Sequence, residues 1–426
     1  MTKHGDIPMI SRNAVIGTLT AVGLVVATSL TLKVDISMQD AQAAPAKSST
    51  EPSPGRAVYY PGTEELAPDE LRVIACGSGM PMPRLKQAAA CFLIELGNGD
   101  KFIFDMGTGS LERIYALGIP LDYLDKVFIT HLHMDHMGDL QAFYIYGPQN
   151  NRSVPLRVWG PGGGGTRPEW GTKAALDHME KSWAWMTGTL AGTIDTSSFK
   201  LDVTEYDWSK VNNVIYNENG ATIRTIPAIH FEQSASFILE WNGLKVAFVG
   251  DSLPNKWWIE NTQGMDLSIF EAFFPPNLAM AKWGFTKREA LNAVTTIHST
   301  AQFFGKMMAM TKPKHAVAYH FKNDFDTLPV MMKAVESVYD GPVDYAQDFM
   351  VWNVTKEGTR TRMVLPNPEG FPSPPLHEKK MTSGERYQTP DWVIEGWPET
   401  VTPLAEKIYS DFNKEHGTDY KFQLKQ

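Results

Sequence analysis

Three histidines and two aspartates crowd into VFITHLHMDHMGDL, Val127 to Leu140. Imidazole nitrogens and carboxylate oxygens are ligands for divalent cations. His131 and His133 lie two apart in an extended segment that leaves the run VFIT. Their side chains therefore project from one face and can grip one ion. Asp135 and His136 follow once the chain has turned, with Gly138 allowing tight backbone passage. They face an adjacent position, and the metals of two-metal sites lie about 3.5–4 Å apart. The stretch can thus seed two metal positions; the bland alternative is a chance cluster on a solvated loop.

The stretch resembles the signature of the metallo-β-lactamase superfamily, an αββα sandwich with a two-metal site at one edge of its sheets. The resemblance implies three more ligands, each at a strand end. IPAIHFEQSASF supplies His230, VAFVGDS supplies Asp251 and HAVAYHFKND supplies His320, in the family's order His, Asp, His. Singly, a strand-end histidine is more often structural; in this order the set is specific. By the resemblance, His131, His133 and His230 hold one metal, Asp135, His136 and His320 hold the other, and Asp251 bridges both. Asp105, in FIFDMGTG, is then an acid that orients a ligand histidine. Zinc is the default pair of ions, and iron or manganese also suits such ligands.

Two segments resemble the ribonuclease Z-like branch of that superfamily, which includes exported arylsulfatase-like enzymes. DLSIFEAFF carries Glu271 and TIHSTAQFF carries His298, matching a carboxylate that holds a proton-donating histidine. GSGMPMP and PLRVWGPGG also fit, so the likeness covers most of residues 71–322. Phe273 departs from the branch, which usually has threonine there. The competing account is that Ser299 and Thr300 merely cap a helix and His298 is structural.

The implied chemistry is hydrolysis. Two divalent ions lower the pKa of a shared water, Asp135 and the other ligands place it, and His298, oriented by Glu271, protonates a poor leaving group. Sulfate or phosphate esters of small molecules fit best. The alternatives are a lactone or other carboxylic ester hydrolase, including one in natural-product biosynthesis, and a metal-binding module without catalysis. The bridging Asp251 argues against β-lactamases proper, and lactonases do not need the Glu271–His298 pair. Phe143, Tyr144 and Tyr146, close after the metal motif, are expected to border the pocket, with Lys322 a candidate anion contact.

The elements that must position these residues read as α+β: an αββα sandwich with an N-terminal export segment and a C-terminal extension. Strands are expected at LRVIACGSG, in the hairpin CFLIELGNGDKFIF, and at 125–130, 155–160, 221–226, 235–241, 244–250 and 315–319. Helices are expected near 109–117, 171–186, 286–310 and 402–415. The hydrolase domain is placed at 69–353, with an insertion at about 161–215 and an extension at 354–426. That insertion has mixed charges and three tryptophans, Trp170, Trp183 and Trp185, which either line an apolar substrate mouth or pack a helix onto the core.

Composition bounds the partners. The 426 residues carry a formal charge of −9, and 43% are hydrophobic, enough for a large core. The ribonucleases Z carry a basic arm for tRNA, whereas this charge balance disfavours nucleic acid. Lys3 and Arg12 precede the apolar run Ala14 to Leu32, and AQAAPA offers a small-x-small cleavage site. Residues 1–43 are therefore expected to be a signal peptide or membrane anchor, followed by a Pro/Ser-rich linker at 44–68. The protein is expected to be exported, periplasmic or secreted, touching a membrane only through that segment. A homodimer is usual for the branch. Cys76 and Cys91 flank a loop between neighbouring strands, which permits either a disulfide or two buried thiols.

Overall fold

The computed structural model describes residues 57–82, 84–165, 167–370, 375–377 and 387–424. The expected export segment lies outside the described residues, as do residues 44–56 of the expected linker. Seven strands come first: β1 Val58–Tyr59, β2 Leu71–Gly77, β3 Cys91–Leu96, β4 Lys101–Phe104, β5 Lys126–Phe128, β6 Leu156–Pro161 and β7 Leu201–Tyr206. Nine follow: β8 Asn213–Glu218, β9 Ala221–Pro227, β10 Ala235–Trp241, β11 Leu244–Val249, β12 Leu267–Glu271, β13 Ala316–Tyr319, β14 Val343–Tyr345, β15 Met350–Val354 and β16 Thr359–Val364. They form a nine-stranded sheet, β1-β16-β15-β2-β3-β4-β5-β6-β7, and a seven-stranded sheet, β14-β13-β12-β11-β10-β9-β8.

The layering follows from the two-residue period of strands that are buried on both faces. In β3, Phe92, Ile94 and Leu96 enter the core shared by both sheets, while Cys91 and Leu93 face the helices Ser110–Tyr115 and Leu140–Tyr146. In β10, Phe237, Leu239 and Trp241 face the first sheet. Ile238 points the other way, into the core under helices Pro276–Trp283, Ala301–Thr311 and Leu328–Glu336. Helix, sheet, sheet, helix is the expected sandwich.

Strand direction then places the site. β4 and β5 are parallel, as are β11, β12 and β13. β9 and β11 are each antiparallel to β10, so they too run alike. The chain therefore leaves β9, β11, β12 and β13 on the same edge of the second sheet.

The sheet extends past both expected bounds of the domain. β1 lies inside the expected linker and pairs in parallel with β16, which lies inside the expected extension. The polar alternation TRTRMV conceals β16, because Arg362 is buried with its guanidinium donating to Asn353 Oδ1 and Glu64 Oε2. β7, inside the expected insertion, and β8, which straddles its end, lie at outer ends of the two sheets and match none of the expected strands. The expected 286–310 helix is broken into Lys287–Asn292, a π turn over Ala293–Ile297, and Ala301–Thr311. The 171–186 run likewise splits into Thr172–Ser182 and Ala184–Thr189. Beyond β16, helix Thr402–His416 has no buried residue. Cys76 and Cys91 are free, buried thiols.

Candidate metal centre

His131 follows β5, His230 follows β9, Asp251 follows β11 and His320 follows β13, while Glu271 ends β12. The two sheets thereby bring together all seven expected ligands, in two sets that share Asp251. In the first, His131 Nε2 and His230 Nε2 lie 3.1 and 3.2 Å from His133 Nδ1, and 3.8 and 3.6 Å from Asp251 Oδ2. In the second, His136 Nε2 and His320 Nε2 are each 3.2 Å from Asp251 Oδ1, and 3.5 and 3.1 Å from Asp135 Oδ2. One carboxylate thus turns one oxygen to each set.

These spacings fit a cation better than a hydrogen-bond network. Four ligands at about 2.1 Å from a central ion lie about 3.4 Å from one another. Ring nitrogens 3.1 Å apart set lone pair against lone pair unless a cation or proton lies between them. His136 Nε2 and Asp251 Oδ1 are buried without a hydrogen-bond partner, a cost seldom tolerated in folded proteins. Burial would lower the His136 pKa, yet Asp251, Asp135 and Asp105 raise it well above the usual value, so the field there favours positive charge. Burial, joined by His136, holds His131 well below its usual value, and burial lowers His230 to about 4. Both rings are therefore neutral and free to donate a lone pair.

Buried partners orient the ligands. His136 Nδ1 donates to Asp105 Oδ2 at 2.7 Å, and Asp105 also accepts from Thr130 N at 2.7 Å and Thr130 Oγ1 at 2.8 Å. Asp105 adopts φ 56°, a left-handed conformation that strains a residue with a Cβ. His230 Nδ1 donates to Ile297 O at 2.9 Å, which leaves Nε2 facing the set. Gly107 permits the backbone approach behind the motif, since a Cβ there would lie 2.0 Å from Asp135 O. Asp105→Asn is expected to lower metal affinity about 10–100-fold, with the fold intact by circular dichroism. Competition with a metal-sensitive dye measures it.

Beside the shared carboxylate, His298 Nδ1 and Glu271 Oε2 share a hydrogen bond of 2.9 Å, and Ser252 N donates to Glu271 Oε1 at 2.5 Å. Burial and the nearby Asp251 charge push Glu271 well above the usual carboxylate range. His298 lies in an extended break between helices, where Phe273 N donates to Ser299 O at 2.6 Å. The Phe273 ring lies flat on the His298 ring, with centroids 4.6 Å apart and planes 6° apart.

The expected pocket residues are not brought to the site. Phe143 and Tyr144 are buried in the core under the first sheet. They share a helix face with Leu140, and the i, i+3, i+4 pattern was the available signal. Tyr146 is exposed but lies outside the cavity beside His131 and His133, and Lys322 rests over Trp283, 5.9 Å from its ring centroid. Trp170, Phe231 and Gln233 line that cavity instead. Of the other tryptophans, Trp183 packs on the core and Trp185 is exposed.

Residues 86–157 match the Metallo-beta-lactamase superfamily. The match spans β3 to β5, ends in the first two residues of β6, and holds the motif His131 to His136 and Asp105. The chain carries a metallo-β-lactamase superfamily domain. The metallo-β-lactamase fold protein YhfI of Bacillus subtilis superposes with TM-score 0.50 at 18% identity, over 67% of this chain and 99% of that one. The domain is also 28% identical to a ribonuclease Z of Mycobacterium marinum over 191 residues, 43% of this chain and 64% of the relative. For a ribonuclease Z of Mycolicibacterium gilvum the identity is 27%, covering 43% of this chain and 62% of that protein. The chain thus spans slightly less than two thirds of the length of these relatives.

Proposed function

We propose that the protein is a two-metal hydrolase of ester bonds, most simply of phosphate or sulfate esters of small molecules. The observation that carries this reading is the Asp251 carboxylate, which offers Oδ2 to one ligand set and Oδ1 to the other beside the Glu271–His298 pair. His131, His133 and His230 would hold one divalent cation and Asp135, His136 and His320 the second. Zinc suits this imidazole and carboxylate set, as do iron and manganese. When bound, such a pair supplies Lewis acidity and lowers the pKa of water.

The chain's own residues do the rest. Glu271 holds His298 Nδ1 in a hydrogen bond and leaves Nε2 free, and a proton carried on Nε2 is the one that can pass to a departing oxygen. Asp105 fixes the tautomer and tilt of His136. Purified protein loaded with zinc is expected to hold about two ions per chain by elemental analysis. It should hydrolyse at least one of an aryl sulfate, a phosphate monoester and a bis-aryl phosphodiester faster than a lactone. Lactone turnover alone would move the chain to the carboxylic ester reading, and bound metal with no turnover would leave a binding module.

A second reading, cleavage of an RNA phosphodiester, is favoured by the relatives named ribonuclease Z, which pull against the expectation that nucleic acid is disfavoured. The formal charge of −9 weighs the other way. An unmodified precursor tRNA in the same assay separates the two.

A further inference from the structure

The metal centre opens on the His131 and His133 side into a cavity of about 500 Å³. Trp170 and Phe231 line it, and they are 45% and 56% exposed. Large exposed aromatics converging on a polar centre are the usual composition of a ligand pocket.

Neither ring is a loose surface group. Trp170 ends the turn Pro168–Trp170, and the Arg167 guanidinium lies over its ring, 4.2 Å from the centroid. The buried side-chain amide of Gln233, in the loop after β9, lies between Trp170 O and Gly164 N, and in the orientation that satisfies both it donates to the first at 3.3 Å and accepts from the second at 3.1 Å. One side chain thus ties the wall that carries Trp170 to the loop that carries His230 and Phe231. Phe231 stands edge-on to His230 and His133, with centroids 4.6 and 5.5 Å apart.

We propose that this cavity is a specificity slot for a planar, uncharged aryl group of a small-molecule ester, gripped by Trp170 and Phe231; this rests on the hydrolase reading. Ring stacking needs no hydrogen-bonding partner from the bound group. The exposed Glu232 carboxylate also lines the cavity and repels further phosphates, so a polynucleotide is a poor occupant. His298 does not line the slot, so the slot selects the group the substrate retains and acts on binding, separately from leaving-group departure.

The test uses two phosphodiesters with the same leaving group, phenyl 4-nitrophenyl phosphate and methyl 4-nitrophenyl phosphate, on the zinc-loaded full chain. The phenyl ester is expected to have about tenfold higher kcat/KM, expressed mainly in KM. Trp170→Ala and Phe231→Ala should each erase most of that preference by lowering kcat/KM for the phenyl ester, and Trp170→Phe should restore it. Equal turnover of the two esters, or a preference unchanged in both alanine variants, overturns the slot and leaves the hydrolase reading standing. If neither ester is turned over, calorimetry with phenylphosphonate and methylphosphonate decides. Tighter phenylphosphonate binding that Trp170→Ala abolishes supports the slot even as the hydrolase reading fails, and equal binding overturns it.

Discussion

Asp251→Asn is expected to abolish ester hydrolysis and to leave less than one firmly held zinc per chain. The variant keeps the shape of the side chain and removes its charge. Each ligand set then loses an anionic oxygen, and four buried imidazoles, those of His131, His136, His230 and His320, face a neutral amide. In the wild-type chain burial opposes ionisation of Asp251, yet His320, His136 and His298 hold it well below the usual carboxylate range. The carboxylate is therefore charged at neutral pH and already matched to a dication. Lewis-acid stabilisation is worth several kcal/mol, so activity should fall on the order of 10³–10⁴-fold. Elemental analysis and initial rates at saturating zinc read the two effects together. Two retained zinc ions with near-normal rates would sink the shared-carboxylate assignment.

His298→Ala should lose about 10²–10⁴-fold, and only for esters whose leaving group needs a proton. Its ring is fixed on three sides. Nδ1 is hydrogen-bonded to Glu271, Phe273 lies flat beneath the ring, and the neighbouring Ser299, just ahead of helix Ala301–Thr311, is tied through its carbonyl to Phe273 N. Glu271 is wholly buried, so it acts through His298 as a positioning residue. A plot of log rate against leaving-group pKa should be shallow in the wild type and steep in the variant, with added imidazole restoring part of the slow reactions. A uniform loss across leaving groups would make His298 structural. It would also return Ser299 and Thr300 to the lesser role of capping the helix, which Thr300 does in any case by accepting from Phe303 N.

The metal centre was legible because each of its residues follows a strand that announces itself. VFIT, ATIRTI, LKVAFVG and HAVAY are short apolar or alternating runs, and the residues after them are functional by position. The aromatic slot was not legible, since Trp170 and Phe231 lie 61 positions apart and are brought to one cavity by the fold. Proximity in sequence misled for Phe143 and Tyr144, whose helical face is buried. β16 was hidden because its buried arginine pairs with Glu64, a residue almost 300 positions away. The broken helix near His298 illustrates a third limit. The break falls in VTTIHST, a β-branched run ending in a Ser–Thr pair whose weak helix preference the 3.6-residue period outweighed, and bonds from Phe273 N to Ser299 O and from Ser299 Oγ to Ser252 O hold the chain open there.

Ligands drawn from both sheets have a consequence for mass action. The positions offered by β5 on one sheet and by β9, β11 and β13 on the other exist together only while the sheets remain docked. An ion that binds this arrangement and not the unfolded chain stabilises the fold by about 2.7 kcal/mol when free metal stands at a hundred times its dissociation constant. Resistance to unfolding then becomes a property of the compartment as much as of the chain, rising and falling with the free metal that surrounds it.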